Sequence, residues 1–156
     1  MKEKIHRKYL EIKSFEDFKE VKKPIGNYNV RIVEPKDFQL NKFFYKNVGK
    51  NCKWIDYISN EKLYTYILKD NDELAGYFEL IFDNQSKEVE IVYFGILEEY
   101  YEKKLGGYLL SEAIKKSFSM HASRIWVHTC SLDHKNALNN YLSRGMKIFK
   151  SEILTR

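Results

Sequence analysis

Three apolar runs constrain this chain more than anything else in it: LYTYILK (63–69), ELAGYFELIF (73–82) and EVEIVYFGIL (88–97), joined by DND and DNQSK. The runs are rich in aromatic and β-branched residues, and short Asp/Asn-rich junctions between such runs are hairpin turns. The pattern predicts an antiparallel meander. The third run does not end in another hairpin. It passes into EEYYEKKLGGYLL (98–110), where a helical period begins. Leu105, Leu109 and Ala113 stack at i, i+4, as do Leu110, Ile114 and Phe118, leaving Glu112, Lys115 and Lys116 to water. The spacing predicts a helix over about 105–118, after which SRIWVHTC (123–130) reads as a strand. A helix joining two strands of one sheet makes a crossover, so these two strands should lie parallel.

The flanks follow the same logic. NVRIVE (29–34) alternates as a strand does, and Pro35 opens a helical stretch, PKDFQLNKFFYKNVG, with Phe38, Phe43 and Phe44 as its buried side and Gly49 as its stop. Residues 50–62 show no clean period. HKNALNNYLSR (134–144) is a short helix capped by Gly145, and MKIFKSEIL (146–154) is a last strand. Ahead of all this lies an extension over residues 1–27. It holds a short strand over 8–13 and a brief helix in which Ser14 and Asp17 resemble a capping box. A length of 156 residues suits one domain. The fold class is α+β in a single domain over 1–156, with a mixed central sheet, an antiparallel N-terminal meander and a βαβα C-terminal half.

Composition narrows the function classes. At 44% apolar and 15% aromatic the chain can build a core, yet no run approaches the roughly 18 apolar residues of a membrane span. The charged start, MKEKIHRKYLEIK, has no apolar segment of a secretory signal. Cys52 and Cys130 are too few for a disulfide framework, so a cytoplasmic protein with reduced thiols and no membrane partner is expected. The net charge of +5 is spread among acids. A nucleic-acid footprint is a clustered basic stripe, so no nucleic-acid partner is expected, whereas an anionic small ligand suits the charge.

Gly106 and Gly107 open a helix at a cost of about 1 kcal/mol each against alanine. The first amides of a helix have no intrahelical partner and carry partial positive charge. Glycines there let phosphate oxygens approach the backbone, and Lys103 and Lys104 add charge, so the junction reads as an anion site. A plain Gly-Gly helix start with solvated lysines is the competing reading. The cluster HTCSLDH holds His128, Cys130, Asp133 and His134, but the period of two puts only His128 and Cys130 on one strand face. Four convergent ligands are not provided, and no metal is expected.

At this junction the chain resembles the GNAT superfamily of acetyl-CoA-dependent N-acetyltransferases. Its members carry a strand, a P-E-Y-type loop and then (Q/R)-x-x-G-x-(G/A) opening a helix. Here the strand is IVYFGIL, the loop is EEY, and the motif falls on Tyr101, Glu102, Lys103, Lys104, Leu105 and Gly106. Tyr101 stands for the family's Gln or Arg, and Lys104 for its middle glycine. A second motif, N-x-x-A-x-x-L-Y-x-x-x-G-F, matches at Ala137, Tyr141 and Gly145, with His134 at the leading position. The resemblance covers roughly residues 29–150.

That resemblance implies transfer of the acetyl group of acetyl-CoA, by direct attack, to a primary amine of a small molecule or peptide. The alternative is a catalytically silent module of the same fold that binds acyl-CoA or a protein. It implies that Phe94, Gly95 and Ile96 pair with the pantetheine arm, that the loop from Tyr101 to Gly107 holds the diphosphate, and that His134 and Ala137 lie near the cofactor. Tyr141 is the implied acid for the departing thiolate. Glu90 stands where some members carry a general base; a carboxylate midway along a central strand is costly unless paired or functional. Glu79 is the rival base, with a water chain as a third route. Trp54, Asp56 and His128 are candidates for the acceptor side, and a homodimer is compatible with the family.

Overall fold

A computed structural model describes residues 3–34, 37–52 and 63–155. Among these residues seven strands form one sheet: β1 (Lys4–Ile12), β2 (Tyr28–Ile32), β3 (Tyr64–Asp70), β4 (Glu73–Asp83), β5 (Glu88–Ile96), β6 (Arg124–Cys130) and β7 (Lys147–Thr155), with helices α1 (Phe38–Cys52), α2 (Leu105–Ser119) and α3 (Ala137–Ser143). The sheet order is β2-β3-β4-β5-β6-β1-β7.

The meander forms as its junctions dictate. Asn71 takes the left-handed turn between β3 and β4 at φ 54°. Asp83 Oδ1 accepts from the amides of Gln85 (2.9 Å) and Ser86 (3.3 Å), closing the turn into β5. The crossover through α2 lays β6 parallel to β5, as expected.

The N-terminal strand is longer than 8–13 and sits inside the sheet, antiparallel to β6 on one side and to β7 on the other. Its apolar residues account for that position. Ile5, Leu10 and Ile12 are buried, each stabilising by about 1.5–3 kcal/mol. Glu11 also accepts a 2.6 Å bond from Arg124 Nε on β6. The segment after it forms only a 3-10 turn, Phe15–Asp17, with Ser14 accepting from the Glu16 amide.

Both faces of the sheet centre are covered, since neighbouring residues Tyr77 and Phe78 point to opposite faces and both are fully buried. Phe44 of α1 stacks on Tyr77, with ring centroids 4.4 Å apart. The other face carries α2, which packs across β4, β5 and β6, and α3, which packs on α2. The helix α1 runs past Gly49 to Cys52. Adjacent residues on a helix are 100° apart, so Phe43 and Phe44 cannot share a face. Asn41, Phe44 and Val48 make the buried stripe, while Phe43 is exposed and meets Phe44 edge-on.

Beneath α1, Glu79 is 1% exposed. Its Oε2 accepts from Asn41 Nδ2 (2.5 Å) and Thr65 Oγ1 (2.8 Å). Burial outweighs these two donors and lifts its pKa from 4.5 to about 7. The unfolded chain releases this proton near 4.5 and the folded one near 7, so between those values the folded state holds more protons and stability falls as pH rises. The loss is at most about 3 kcal/mol. Urea melts at pH 5 and pH 8 should show that slope in wild type and lose it in Glu79→Gln; an unchanged slope would assign it to another group.

Candidate active site

Pairing between β5 and β6 covers only Glu88–Glu90 against Arg124–Trp126. Directly beyond it, β5 has an extra residue: Ile91 faces Leu80 and Tyr93 faces Glu79, leaving Val92 as a bulge. A bulge bends its strand, and here β5 and β6 part. A cleft of about 970 Å³ opens between them.

This cleft passes through the sheet. Residues opposite one another in register share a face. Glu79, bonded to Asn41, marks the α1 face; Ile81 follows it on that face, and Ile81 faces Glu90. Glu90 lies level with Trp126, and the same face continues through His128 and Cys130 to Tyr9 and Arg7 on β1. Phe94 points the other way, and its ring lies 6.2 Å from that of Tyr141 on α3. Glu90, His128, Cys130 and Arg7 of the first face and Phe94 and Tyr141 of the second line the cleft.

Gly95 shares the face of Tyr77 and abuts α1. A Cβ there would sit 2.1 Å from Val48 Cγ1, so α1 approaches β5 as closely as it does only over glycine. The carboxyl of Glu90 is pushed above the ordinary carboxylate range by burial. Glu79, the rival base, does not line the cleft. Its carboxylate is engaged by α1 and β3.

On the opposite face the cleft ends at the start of α2. Tyr100 anchors the loop, its hydroxyl lying 2.8 Å from Glu73 and 3.2 Å from Asp70. Glu102 and Lys104 then take left-handed backbone, φ 66° and 60°. A left-handed residue leading into a right-handed helix gathers successive amides into a concavity suited to anions. Lys104, standing where the resembled family has glycine, adopts the conformation that glycine favours. No side chain caps the first turn of α2. His134 reaches this loop edge-on to Tyr101 (5.0 Å), and its Nδ1 accepts from the Asn136 amide.

Gly107 has a specific neighbour. A Cβ on it would meet Arg144 NH1 at 2.6 Å and Val21 Cγ2 at 3.1 Å. The Arg144 guanidinium lies over the mouth of α2, bonded to Asn140 Oδ1 (3.3 Å), while Asn140 Nδ2 donates to the Gly106 carbonyl. Its buried Nε has no hydrogen-bond partner and it makes no ion pair among the described residues. Burial lowers its pKa.

The cleft thus brings together Glu90, Phe94, Gly95, Ile96 and Tyr141 with the loop residues Tyr101, Glu102 and Lys104. Leu105, Gly106, Gly107, His128, His134 and Ala137 line it too. Lys103 faces a separate shallow depression beside Asp70 and Glu73. Trp54 and Asp56 lie outside the described residues. Asp133 closes the end of β6, accepting from Thr129 Oγ1 and the Cys130 amide. Burial foremost, with Asp133 beside it, raises the Cys130 thiol. No metal-binding group of three or more such side chains exists among the described residues. Arg7 and Arg144 were not foreseen. The only sequence signal for Arg144 was its place just before Gly145.

The model of the acetyltransferase (GNAT) family matches residues 32–146. The chain belongs to that family. None of the curated proteins matches it. Among solved structures, this GNAT chain is similar to a GCN5-related N-acetyltransferase from Kribbella flavida (12% identity, TM-score 0.72), covering 96% of itself and 56% of that chain. It is also similar to a Bacillus subtilis acetyltransferase in complex with CoA (22% identity, TM-score 0.61, 80% and 79% covered). A GNAT family acetyltransferase from Streptococcus pneumoniae is a third (21%, 0.60, 78% and 88%). At these identities the structures show the GNAT fold. The chain spans a little over half the length of the Kribbella flavida structure. No helix among the described residues is long and apolar enough to cross a membrane.

Proposed function

We propose that the cleft binds acetyl-CoA and that the protein acetylates a primary amine by direct attack. The observation that carries this reading is Arg144: a half-buried guanidinium, its Nε buried and unpartnered and with no carboxylate partner among the described residues, set over the uncapped first turn of α2. That arrangement calls for an anion of high charge density, and a diphosphate supplies one. Bound acetyl-CoA supplies the activated thioester. Glu90, with its affinity for protons raised by burial, takes a proton from the acceptor's ammonium, freeing the neutral amine that attacks the thioester carbonyl. The Tyr141 hydroxyl, lining the same cleft, gives its proton to the departing sulfur. The edge of β5 that faces away from β4 around Phe94 to Ile96 pairs with the pantetheine amides.

Calorimetric titration with acetyl-CoA tests the reading. Arg144→Ala should weaken binding about ten- to hundredfold, as loss of a charge-assisted bond does, with the melting temperature little changed. Absence of wild-type binding at millimolar acetyl-CoA would overturn the reading. Binding without thiol release across an amine panel would leave the silent module as the function.

A further inference from the structure

A second guanidinium lies on the α1 face. Arg7 comes from β1, opposite Cys130, and lines the cleft together with Glu90 and His128. Its side chain is only 23% exposed. NH1 donates to Tyr9 Oη at 3.3 Å and makes a long ion pair, 3.8 Å, with Glu152 Oε1, too far for a hydrogen bond. Its Nε is buried and has no partner among the described residues. Arg124, on the same face, shows what a satisfied guanidinium looks like there: Nε lies 2.6 Å from Glu11 and NH1 3.4 Å from Glu88. Glu152, the carboxylate paired with Arg7 among the described residues, is shared: it also accepts from the Tyr9 hydroxyl at 2.5 Å and lies 3.7 Å from Lys150 Nζ.

The diphosphate site cannot account for Arg7, because Arg144 and the mouth of α2 are on the other face of the sheet. Resting on the function proposed above, we infer that Arg7 receives a carboxylate of the acceptor, so that the substrate is an amino-carboxylate whose amine is directed toward Glu90. The residue opposite Arg7 is four positions along β6 from Trp126, which is level with Glu90. That offset is about 13 Å along the strands at 3.3 Å per residue, and the two strand spacings from β5 across β6 to β1 add about 10 Å sideways, roughly 16 Å between backbones in all. Long side chains span most of it, and the acceptor bridges the rest.

Matched pairs decide the matter: alanine, 4-aminobutyrate and 6-aminohexanoate, each against its carboxamide, with 1,4-diaminobutane as a cation without an acid. In thiol-release kinetics the best acid should exceed its amide at least tenfold in kcat/KM. Arg7→Gln should bring that ratio to about one with the KM for acetyl-CoA unchanged, and Arg7→Lys should restore part of it. Amides or the diamine turning over as well as the acids, or a ratio that survives Arg7→Gln, would overturn the inference while leaving acetyl transfer intact. Should acetyl-CoA fail to bind, the proposed function falls, and NMR titration of the same pairs into the free protein still tests Arg7. Acid binding that is tighter than amide binding and is lost in Arg7→Gln supports the carboxylate site; equal binding of acid and amide rejects it.

Discussion

Glu90→Gln is expected to lower kcat/KM for amine acetylation by about a hundredfold to ten-thousandfold, the range of a positioned general base. Glutamine keeps the shape and removes the proton acceptor. The pH profile carries the stronger test. A base works when ionised, and burial holds the Glu90 carboxyl above 4.5, so wild-type activity should rise through a limb displaced toward neutral pH. The variant should lose that limb. Steady-state thiol release between pH 5 and 9 measures both effects, and a limb that persists in Glu90→Gln assigns the base to another group.

Tyr141→Phe is the second large effect. The ring is 6% exposed and rests against Phe94, contacts that phenylalanine retains, so stability and acetyl-CoA affinity should hold. In the proposed reaction the variant lacks the proton for the departing thiolate, and kcat should fall about a hundredfold. Single-turnover kinetics with saturating acetyl-CoA separate the chemical step from binding. Equal rates in the two proteins would return Tyr141 to a packing role.

The meander and crossover were legible because their signals are local: Asn71 and Asp83 define their turns within a few residues, and the α2 period repeats over four turns. Helix boundaries were less so. Gly49 reads as a stop, yet α1 continues, since packing of Phe44 and Val48 outweighs one weak residue. Glu79 and Glu90 look alike in the sequence, as carboxylates on neighbouring strands. They differ through Asn41, brought over Glu79 from a helix 38 positions away, and through the bulge at Val92, which opens the sheet beside Glu90. Arg7 and Arg144 were illegible for the same reason. Each matters through what approaches it, and β1 reaches β6 across 113 to 123 residues, as between Ile12 and Ile125 or Arg7 and Cys130. No periodicity within β1 could indicate its neighbours.

The inserted position of β1 also dictates an order of events during biosynthesis. This strand is made before every other described strand, yet both of its partners are encoded more than 110 residues later. At about 5–20 residues per second the nascent strand waits roughly 5–20 s for β6, with Ile5, Leu10 and Ile12 unsheltered. The last ribbon, β7, docks on β1 alone among the described strands, so its attachment must come later still. Trimming the leading dozen residues would therefore strip two strands from the sheet rather than one, and with them the wall that carries Arg7.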